Sequence, residues 1–449
     1  MKRENLIKEV MNLLDKHDFA ELKVWLIQLN PVDIAEILAE VPDETLLMLF
    51  RILPKDLAAD TFSEMDGDEQ EKLLNNFTDQ EVRDVVYEMG LDDTVDMLEE
   101  MPANVVRRVL SKASPEDRKT INELLKYPED SAGAVMTTEL MRLKENMTVT
   151  EALDWIRTHG DDKEDIYTCY VTSKDQILMG VITVRELLLD KHNSVIGDIM
   201  ERNTIEVRTN DDQEVAAKLF DRYNFTALPV VDMDNHLVGI ITVDDAIDVM
   251  TEETTEDFQK LAATTPSEEP YLKTSVFSMA GHRIVWLIVL MVSDLISGGI
   301  LQSFQDALTA LPILISFIPM LTDTGGNAGS QASTLVIRGL ALKEITVKDA
   351  FKVMWKEFRV AVICGAALSV LNFARMLIQF PGQMAVSIAV SVALFFTVIM
   401  AKAIGGLLPI AATKLKLDPA LMASPLITTI VDSGSLLIYL NVAKALLHI

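Results

Sequence analysis

The chain has 449 residues, with 40 Lys+Arg against 68 Asp+Glu and a formal net charge of −28 at neutral pH. This acidic balance argues against nucleic acid as a partner and for cations. The length exceeds one domain, and two cysteines, Cys169 and Cys364, are too few for a disulfide framework and suit a reducing compartment.

The charge is unevenly spread: residues 1–270 carry a net −33 and residues 271–449 a net +5. The reading is an acidic soluble region followed by a membrane region. The N-terminal MKRENLIKEV has no apolar run, so no cleavable signal peptide is expected and the soluble part stays on the synthesis side.

Residues 1–130 read as an acidic helical N-domain. Apolar positions recur at three and four, as in Ile34, Ile37 and Leu38 or Val95, Met97 and Leu98. A loose repeat runs through Asn30-Pro31-Val32-Asp33, Leu53-Pro54-Lys55-Asp56 and Leu91-Asp92-Asp93-Thr94. Pro or Asp ahead of an apolar run starts a helix, so stacked helical pairs are expected. Most of the acids form a solvated face; Asp92 and Asp96, one turn apart, are the pair expected to hold a cation.

Residues 131–250 contain a duplication. Asp175-Gln176-Ile177-Leu178-Met179-Gly180-Val181-Ile182-Thr183 is matched by Asp234-Asn235-His236-Leu237-Val238-Gly239-Ile240-Ile241-Thr242. Each copy reads as helix, strand, turn, strand and helix, over 131–198 and 199–250. This resembles a tandem pair of CBS domains, whose motif sets a hydroxyl and a carboxylate to hold an adenosine ribose. The second copy keeps it in Thr242 and Asp245, while the first has Glu186 after Thr183. The resemblance implies either adenine-nucleotide (ATP) binding, lined by Tyr170, Thr183, Arg185, Glu186 and Phe225, or a domain pair that only dimerises.

An acidic connecting helix and linker is expected over 251–282. Asp245, Asp248, Glu252 and Glu256 follow helical spacing, with Glu253 and Asp257 beside them. Like charges so spaced destabilise a helix by tenths of a kcal/mol per pair, which a bound cation relieves. Mg²⁺ and Ca²⁺ are the hard ions that take carboxylate oxygens. The other reading is a solubilising linker helix.

Residues 283–449 hold five expected spans, at about 284–305, 308–338, 358–380, 385–412 and 419–446, each near the length of about 20 apolar residues a bilayer needs. Arg338, Lys343, Lys348, Lys352, Lys356 and Arg359 mark one cytoplasmic loop, and Lys414 and Lys416 another. This puts the N-terminal region inside and the C-terminus outside.

Within the second span, Pro319-Met320-Leu321-Thr322-Asp323-Thr324-Gly325-Gly326-Asn327-Ala328-Gly329-Ser330-Gln331 sits at membrane depth. Its glycines and polar groups predict a loosened backbone facing a wet cavity; the competing reading is a close helix–helix contact. Asp323, Asn327 and Gln331 fall on one helical face. The fifth span carries Thr428-Thr429-Ile430-Val431-Asp432, with Asp432 expected as a pore ligand beside Thr428 and Thr429. Asp294 and Lys402 are further membrane charges, and Lys402 is read as structural.

Together these features resemble the MgtE family of magnesium channels. Pro319 to Ala332, Thr428 to Asp432, and Tyr127-Pro128-Glu129-Asp130-Ser131-Ala132-Gly133-Ala134-Val135-Met136 carry the likeness. It implies a multidomain fold: an all-α superhelical N-domain, tandem α+β CBS domains and a five-helix α transmembrane domain. It implies a homodimer in the bilayer of the cell membrane, with one pore on the two-fold axis in which Asp432 of each subunit holds hydrated Mg²⁺. Cytosolic Mg²⁺ would close that pore through Asp92, Asp96, Glu214, Asp245, Asp248, Glu253, Glu256 and Asp257. The histidines show no HExxH spacing and there is no P-loop GK[ST], so an enzyme or ATP-driven pump is not expected. A broader Co²⁺, Ni²⁺ or Mn²⁺ transporter and a membrane-anchored, nucleotide-sensing regulator are the alternatives.

Overall fold

Ten short helices begin the chain: α1 (Arg3–Asp15), α2 (Phe19–Leu26), α3 (Pro31–Ala39), α4 (Asp43–Ile52), α5 (Lys55–Ser63), α6 (Gly67–Asn76), α7 (Asp79–Glu88), α8 (Leu91–Glu100), α9 (Ala103–Lys112) and α10 (Pro115–Leu124). The computed structural model describes residues 3–16, 18–161, 163–267, 271–422 and 424–448. Residues 268–270 of the expected linker and residue 423 of the expected fifth span lie outside these. Two compact units divide the chain, Met1–Met250 and Thr251–Ile449.

Local chemistry starts these helices where the sequence places them. Pro31 and Pro115 occupy first helical positions, Ser114 Oγ accepts from Asp117 N at 3.0 Å, and Thr78 and Glu81 close a capping box. Helices pack on the next but one, α3 on α5, α5 on α7, α7 on α9, and likewise α4 on α6 and α6 on α8. Each helix has too little apolar surface to stand alone, so the stack shares one continuous core. Leu49, Phe62, Leu73, Leu74 and Val82 are fully buried in it, and Phe50 and Phe77 stand 5.3 Å apart.

The duplication folds twice into the same motif. The first copy is β1 (Leu140–Lys144), α11 (Val149–His159), β2 (Asp165–Thr172), β3 (Leu178–Thr183) and α12 (Val184–Leu189). A short α13 (Ile196–Ile199) leads to the second: β4 (Val207–Arg208), α14 (Gln213–Tyr223), β5 (Ala227–Val231), β6 (Leu237–Thr242) and α15 (Val243–Leu261). Each sheet has three strands, ordered β1-β2-β3 and β4-β5-β6, with the first pair parallel and the second antiparallel. Register repeats as well: Val171 faces Gly180 as Val230 faces Gly239. The leading strands β1 and β4 were not legible in the sequence: β4 is only two residues long, and β1 is a short LMRLK run in which Arg142 and Lys144 break the apolar signal.

The second unit contains α16 (Val276–Ser303), α17 (Gln305–Ala310), a 3₁₀ turn (Pro312–Phe317), α18 (Ile318–Ala341), α19 (Ala350–Gln379), α20 (Met384–Lys414) and α21 (Ser424–Leu447). Among the described residues, four helical stretches are long and apolar enough to cross a membrane: Val276–Ser303, Val347–Gln379, Met384–Lys414 and Pro419–Leu447. The expected second span is not one helix over 308–338. It breaks into α17, the 3₁₀ turn at Pro312 and the 24-residue α18, whose glycines and polar side chains hold its hydropathy below that of the other four. Tyr439 Oη donates to Leu314 O at 2.8 Å and so pins the 3₁₀ turn.

The expectation of loosened backbone at Pro319–Gln331 is corrected here: α18 is an unbroken helix through all three glycines. Their role is close approach. A Cβ on Gly325 would sit 2.7 Å from Ser435 Oγ, one on Gly326 2.9 Å from Thr428 Cγ2, and one on Gly329 2.9 Å from Ile427 Cγ2. On α20, a Cβ at Gly405 would run into the Gly329 carbonyl. With little hydrophobic drive between helices in lipid, such backbone contact is what holds α18 against α20 and α21.

Candidate cation sites

The first unit gathers carboxylates from three separate stretches. α8 contributes Asp92, Asp93 and Asp96, the start of α15 contributes Asp244 and Asp245, and Glu164 precedes β2. They interact strongly enough to disturb one another. Burial and then the repulsion of Asp245, Asp92 and Asp93 push Asp96 up to about 8. Burial and then Asp92 and Asp245 push Asp93 up to about 7. Glu164 rises to about 7 through burial and Asp92, and Asp245 to about 6 through burial, despite the Thr242 hydroxyl that favours its charged form. Asp92 is raised chiefly by burial, although it bonds Thr137.

Asp93 and Asp96 nevertheless keep exposed surface. Protein crowds them on several sides while water still reaches them, which describes a wet cleft. Among the described residues, none of Asp92, Asp93, Asp96, Asp244 or Asp245 is ion-paired. Such a cleft has the hard oxygen donors that Mg²⁺ and Ca²⁺ take.

Other expected ligands are placed elsewhere. Glu214 forms an ion pair with Lys218 on its own helix, and its amide donates to Asp212 Oδ1 at 2.9 Å. Asp248 is exposed and raised by burial and Asp244; it acts in turn on Glu64, which rises for the same reasons. Glu256 Oε2 takes Lys260 Nζ at 2.7 Å. Glu253 is half-exposed and Asp257 exposed along the same helix. The sequence reading passed over Asp93, Asp244 and Glu164. Asp93 stands three residues before Asp96, a spacing that could have found it; Glu164 had no such signal. It also missed Asp232, Asp234 and His236, whose ligand atoms lie within 4.8 Å of one another. There His236 Nδ1 is already 2.9 Å from Asp232 Oδ2.

The nucleotide motif is engaged in helix capping in both copies. Thr183 Oγ1 donates to Glu186 Oε2 at 2.8 Å, and Thr242 Oγ1 donates to Asp245 Oδ2. Arg185 is exposed, and Phe225 stacks on Tyr223 at 5.4 Å. Tyr170 departs from the expected lining. It is fully buried, packed with Leu140, Ala227, Leu237 and Ile240, and among the described residues its hydroxyl has no partner. Its place on β2 turns it into the core between the two sheets, where it offers no surface to an outside ligand.

In the second unit, α18 turns its glycines to α20 and α21, which leaves Asp323, Asn327 and Gln331 exposed on the opposite face. Asp432 on α21 is half-buried and lies within electrostatic range of Asp294 on α16 and Asp323 on α18. Thr428 and Thr429 spend their hydroxyls on the Pro425 carbonyl, at 2.8 and 3.0 Å. Lys402, on α20, is buried at 5 % exposure.

A helical acidic domain, a CBS pair and an apolar helical unit with carboxylates on three of its helices describe a membrane transporter of cations. Comparison with known proteins agrees. The family described as "Divalent cation transporter" (MgtE) matches residues 318–442, the "MgtE intracellular N domain" matches 29–130, and the CBS domain matches 132–191 and 196–252. The chain is 35 % identical over 449 residues to the magnesium transporter MgtE of Thermus thermophilus, covering 99 % of each. It is 34 % identical over 448 residues to that of Bacillus subtilis, covering 100 % of this chain and 99 % of the other. The crystal structure of the cytosolic domain of the Mg²⁺ channel MgtE in complex with ATP is similar at TM-score 0.52 and 34 % identity, covering 54 % of this chain and 99 % of that one. The soluble part of a magnesium transporter is similar at TM-score 0.52 and 31 % identity, covering 56 % and 99 %. The chain belongs to the MgtE family of magnesium transporters; it is a membrane protein with an intracellular N domain, and a transporter rather than an enzyme.

Proposed function

We propose that the chain carries Mg²⁺ through the cell membrane as a homodimeric channel that cytosolic Mg²⁺ closes. The observation that carries the regulatory half is the unneutralised cleft of Asp92, Asp93, Asp96 and Asp245. Empty, its carboxylates repel and take up protons near neutrality; filled by a divalent ion, they draw α8 and the start of α15 together. Asp248, Glu253, Glu256 and Asp257 extend the acidic run along α15 toward its C-terminal end. Glu214 has a lysine partner and is the weakest of the proposed sensing ligands. An ion can close the pore only if it binds the closed state more tightly, since equal affinity shifts nothing.

For the transport half, Asp432 is the proposed pore ligand. Mg²⁺ sheds water reluctantly and usually keeps several waters. A pore that holds it through its hydration shell therefore needs few carboxylates, and Asp432 from each of two subunits would serve. Asp323, Asn327 and Gln331 form the polar face that accompanies it, with Thr428 and Thr429 behind. Adenine nucleotide is proposed to tune the CBS pair near Arg185 and Phe225, in line with the ATP complex of the similar cytosolic domain.

The test is Mg²⁺ flux into proteoliposomes as Mg²⁺ on the cytoplasmic face is varied. Wild-type flux should fall as that Mg²⁺ rises, and Asp432→Ala should abolish it. Undiminished flux in Asp432→Ala would move the ion path elsewhere, and wild-type flux indifferent to cytoplasmic Mg²⁺ would remove the sensor.

A further inference from the structure

α16 is 28 residues long and has no buried residue among its own, so nearly all of it faces lipid or a partner. Ile284, Leu287, Ile288, Met291, Leu295 and Ile296 are exposed on it, as a membrane helix requires. Asp294 interrupts this apolar surface near mid-helix. A carboxylate at such depth costs about 2.5–3.5 kcal/mol on insertion scales. Among the described residues no basic group pairs with Asp294, so the fold itself gives no return for that cost.

What the fold does fix is where Asp294 stands. α16 packs on α21, and Ser297 Oγ lies 2.9 Å from Ser433 Oγ. Asp294 is one helical turn before Ser297, and Asp432 is the neighbour of Ser433. Ser293 and Ser297, half-buried and one turn apart, mark the contact line beside Asp294. Side-chain hydrogen bonds between membrane helices, worth about 0.6–2 kcal/mol, hold such a register. The contact brings Asp294 within electrostatic range of Asp432, as Asp323 of α18 also is.

We infer that Asp294 is a specificity-determining residue of the transport path, a carboxylate on the outermost helix that raises the local preference for a divalent over a monovalent cation beside Asp432. The inference rests on the reading of Asp432 as a pore ligand and extends it to a helix that reading does not use. One fixed negative charge attracts Mg²⁺ twice as strongly as K⁺ at the same distance, so a second carboxylate favours the divalent ion more than it favours its competitor. It does this through the water shell, with no need for direct contact.

The experiment is the Mg²⁺ dependence of flux by the full chain in proteoliposomes, with K⁺ as competitor. Asp294→Asn should raise the half-saturating external Mg²⁺ by about five-fold, with maximal flux within about two-fold of wild type, and should sharpen inhibition by K⁺. Asp294→Glu should return both to near wild-type values. Neutralising a membrane carboxylate eases insertion, and the glutamate variant keeps the charge, so folding failure of one is covered by the other. An unchanged half-saturation in Asp294→Asn overturns the inference, as does lost maximal flux that Asp294→Glu does not restore. Asp432→Ala, run alongside, separates the two readings. Full flux in that variant removes the pore assignment and this inference with it; lost flux there with an indifferent Asp294→Asn removes this inference alone.

Discussion

Lys260 Nζ stands 2.9 Å from Asp418 Oδ2 and 2.7 Å from Glu256 Oε2, so one ammonium joins the end of α15 to the chain just ahead of α21. Burial works against its charge, but the two carboxylates outweigh that and hold Lys260 above the usual lysine range. The lysine is a tethered cation occupying a place a free one could take. Lys260→Met should release both carboxylates to Mg²⁺. The cytoplasmic Mg²⁺ that half-closes the flux should then fall by about three-fold, as a partly exposed pair worth under about 1 kcal/mol allows. A midpoint that stays put or rises would sink the idea.

The acidic cleft carries a pH signature. Asp245, Asp93 and Asp96 stand at about 6, 7 and 8, against about 3.9 for an aspartate in the unfolded chain. The folded state therefore binds more protons than the unfolded one across this window, and stability falls as pH rises from about 4 to 8. Mg²⁺ binding competes with those protons. Between pH 6 and 8 the affinity of the Mg²⁺ sites should rise and binding should release protons. Calorimetry of the full chain in two buffers of different ionisation heat measures both. Proton release of zero across that range would exclude the cleft as the main site.

Neutralising the α15 row should separate sensing from conduction. Asp248→Asn with Glu256→Gln removes two carboxylates without touching the membrane helices. Flux should persist at cytoplasmic Mg²⁺ that silences the wild type, with unchanged preference among Mg²⁺, Co²⁺ and Ni²⁺. Normal shut-off in the double variant would count against these two residues as sensors.

Close packing of α18 on α20 makes a purely steric prediction. In Gly405→Val the new side chain must displace the Gly329 carbonyl, and overpacking of this kind costs about 1–3 kcal/mol. The melting temperature in detergent should drop. Gly299→Val, where nothing lies within 4 Å, should leave it unchanged. Equal effects from the two would show that α18 and α20 do not meet as described.

Tyr170 gives a prediction about nucleotide. Its buried hydroxyl lacks a partner, and an unpaired buried hydroxyl costs about 1–3 kcal/mol. Tyr170→Phe should thus be neutral or stabilising and should leave ATP affinity unchanged, whereas Arg185→Ala should weaken it. A large loss of ATP affinity in Tyr170→Phe, read by equilibrium titration, would bring the tyrosine back to the ligand.

The architecture was legible where one residue type dictates one local geometry. Pro31 and Pro54 announced helix starts, the repeated Gly-apolar-apolar-Thr located both hairpins, and the charge step near residue 270 marked the change of solvent. What stayed hidden depended on three dimensions. Asp93 and Glu164 look like any other acids until Asp245, far along the chain, is folded within electrostatic range of them. The glycines of α18 fit a loosened helix and a tight contact equally well from sequence. Only the carbonyl of Gly329 under Gly405 separates the two. Tyr170 matched a ligand-lining pattern, but strand alternation turned it inward.

Asp245 caps α15 through Thr242 and also faces the acids of α8. A residue serving two masters is hard to improve. Alanine there would soften the repulsion and unfasten the helix start, glutamate would keep the charge, and only asparagine would keep an acceptor for Thr242 without the charge. Selection for a transporter with a shifted set point should therefore find few routes through Asp245 and more through Asp96 on α8, since Asp92 is itself engaged with Thr137 and the start of its own helix.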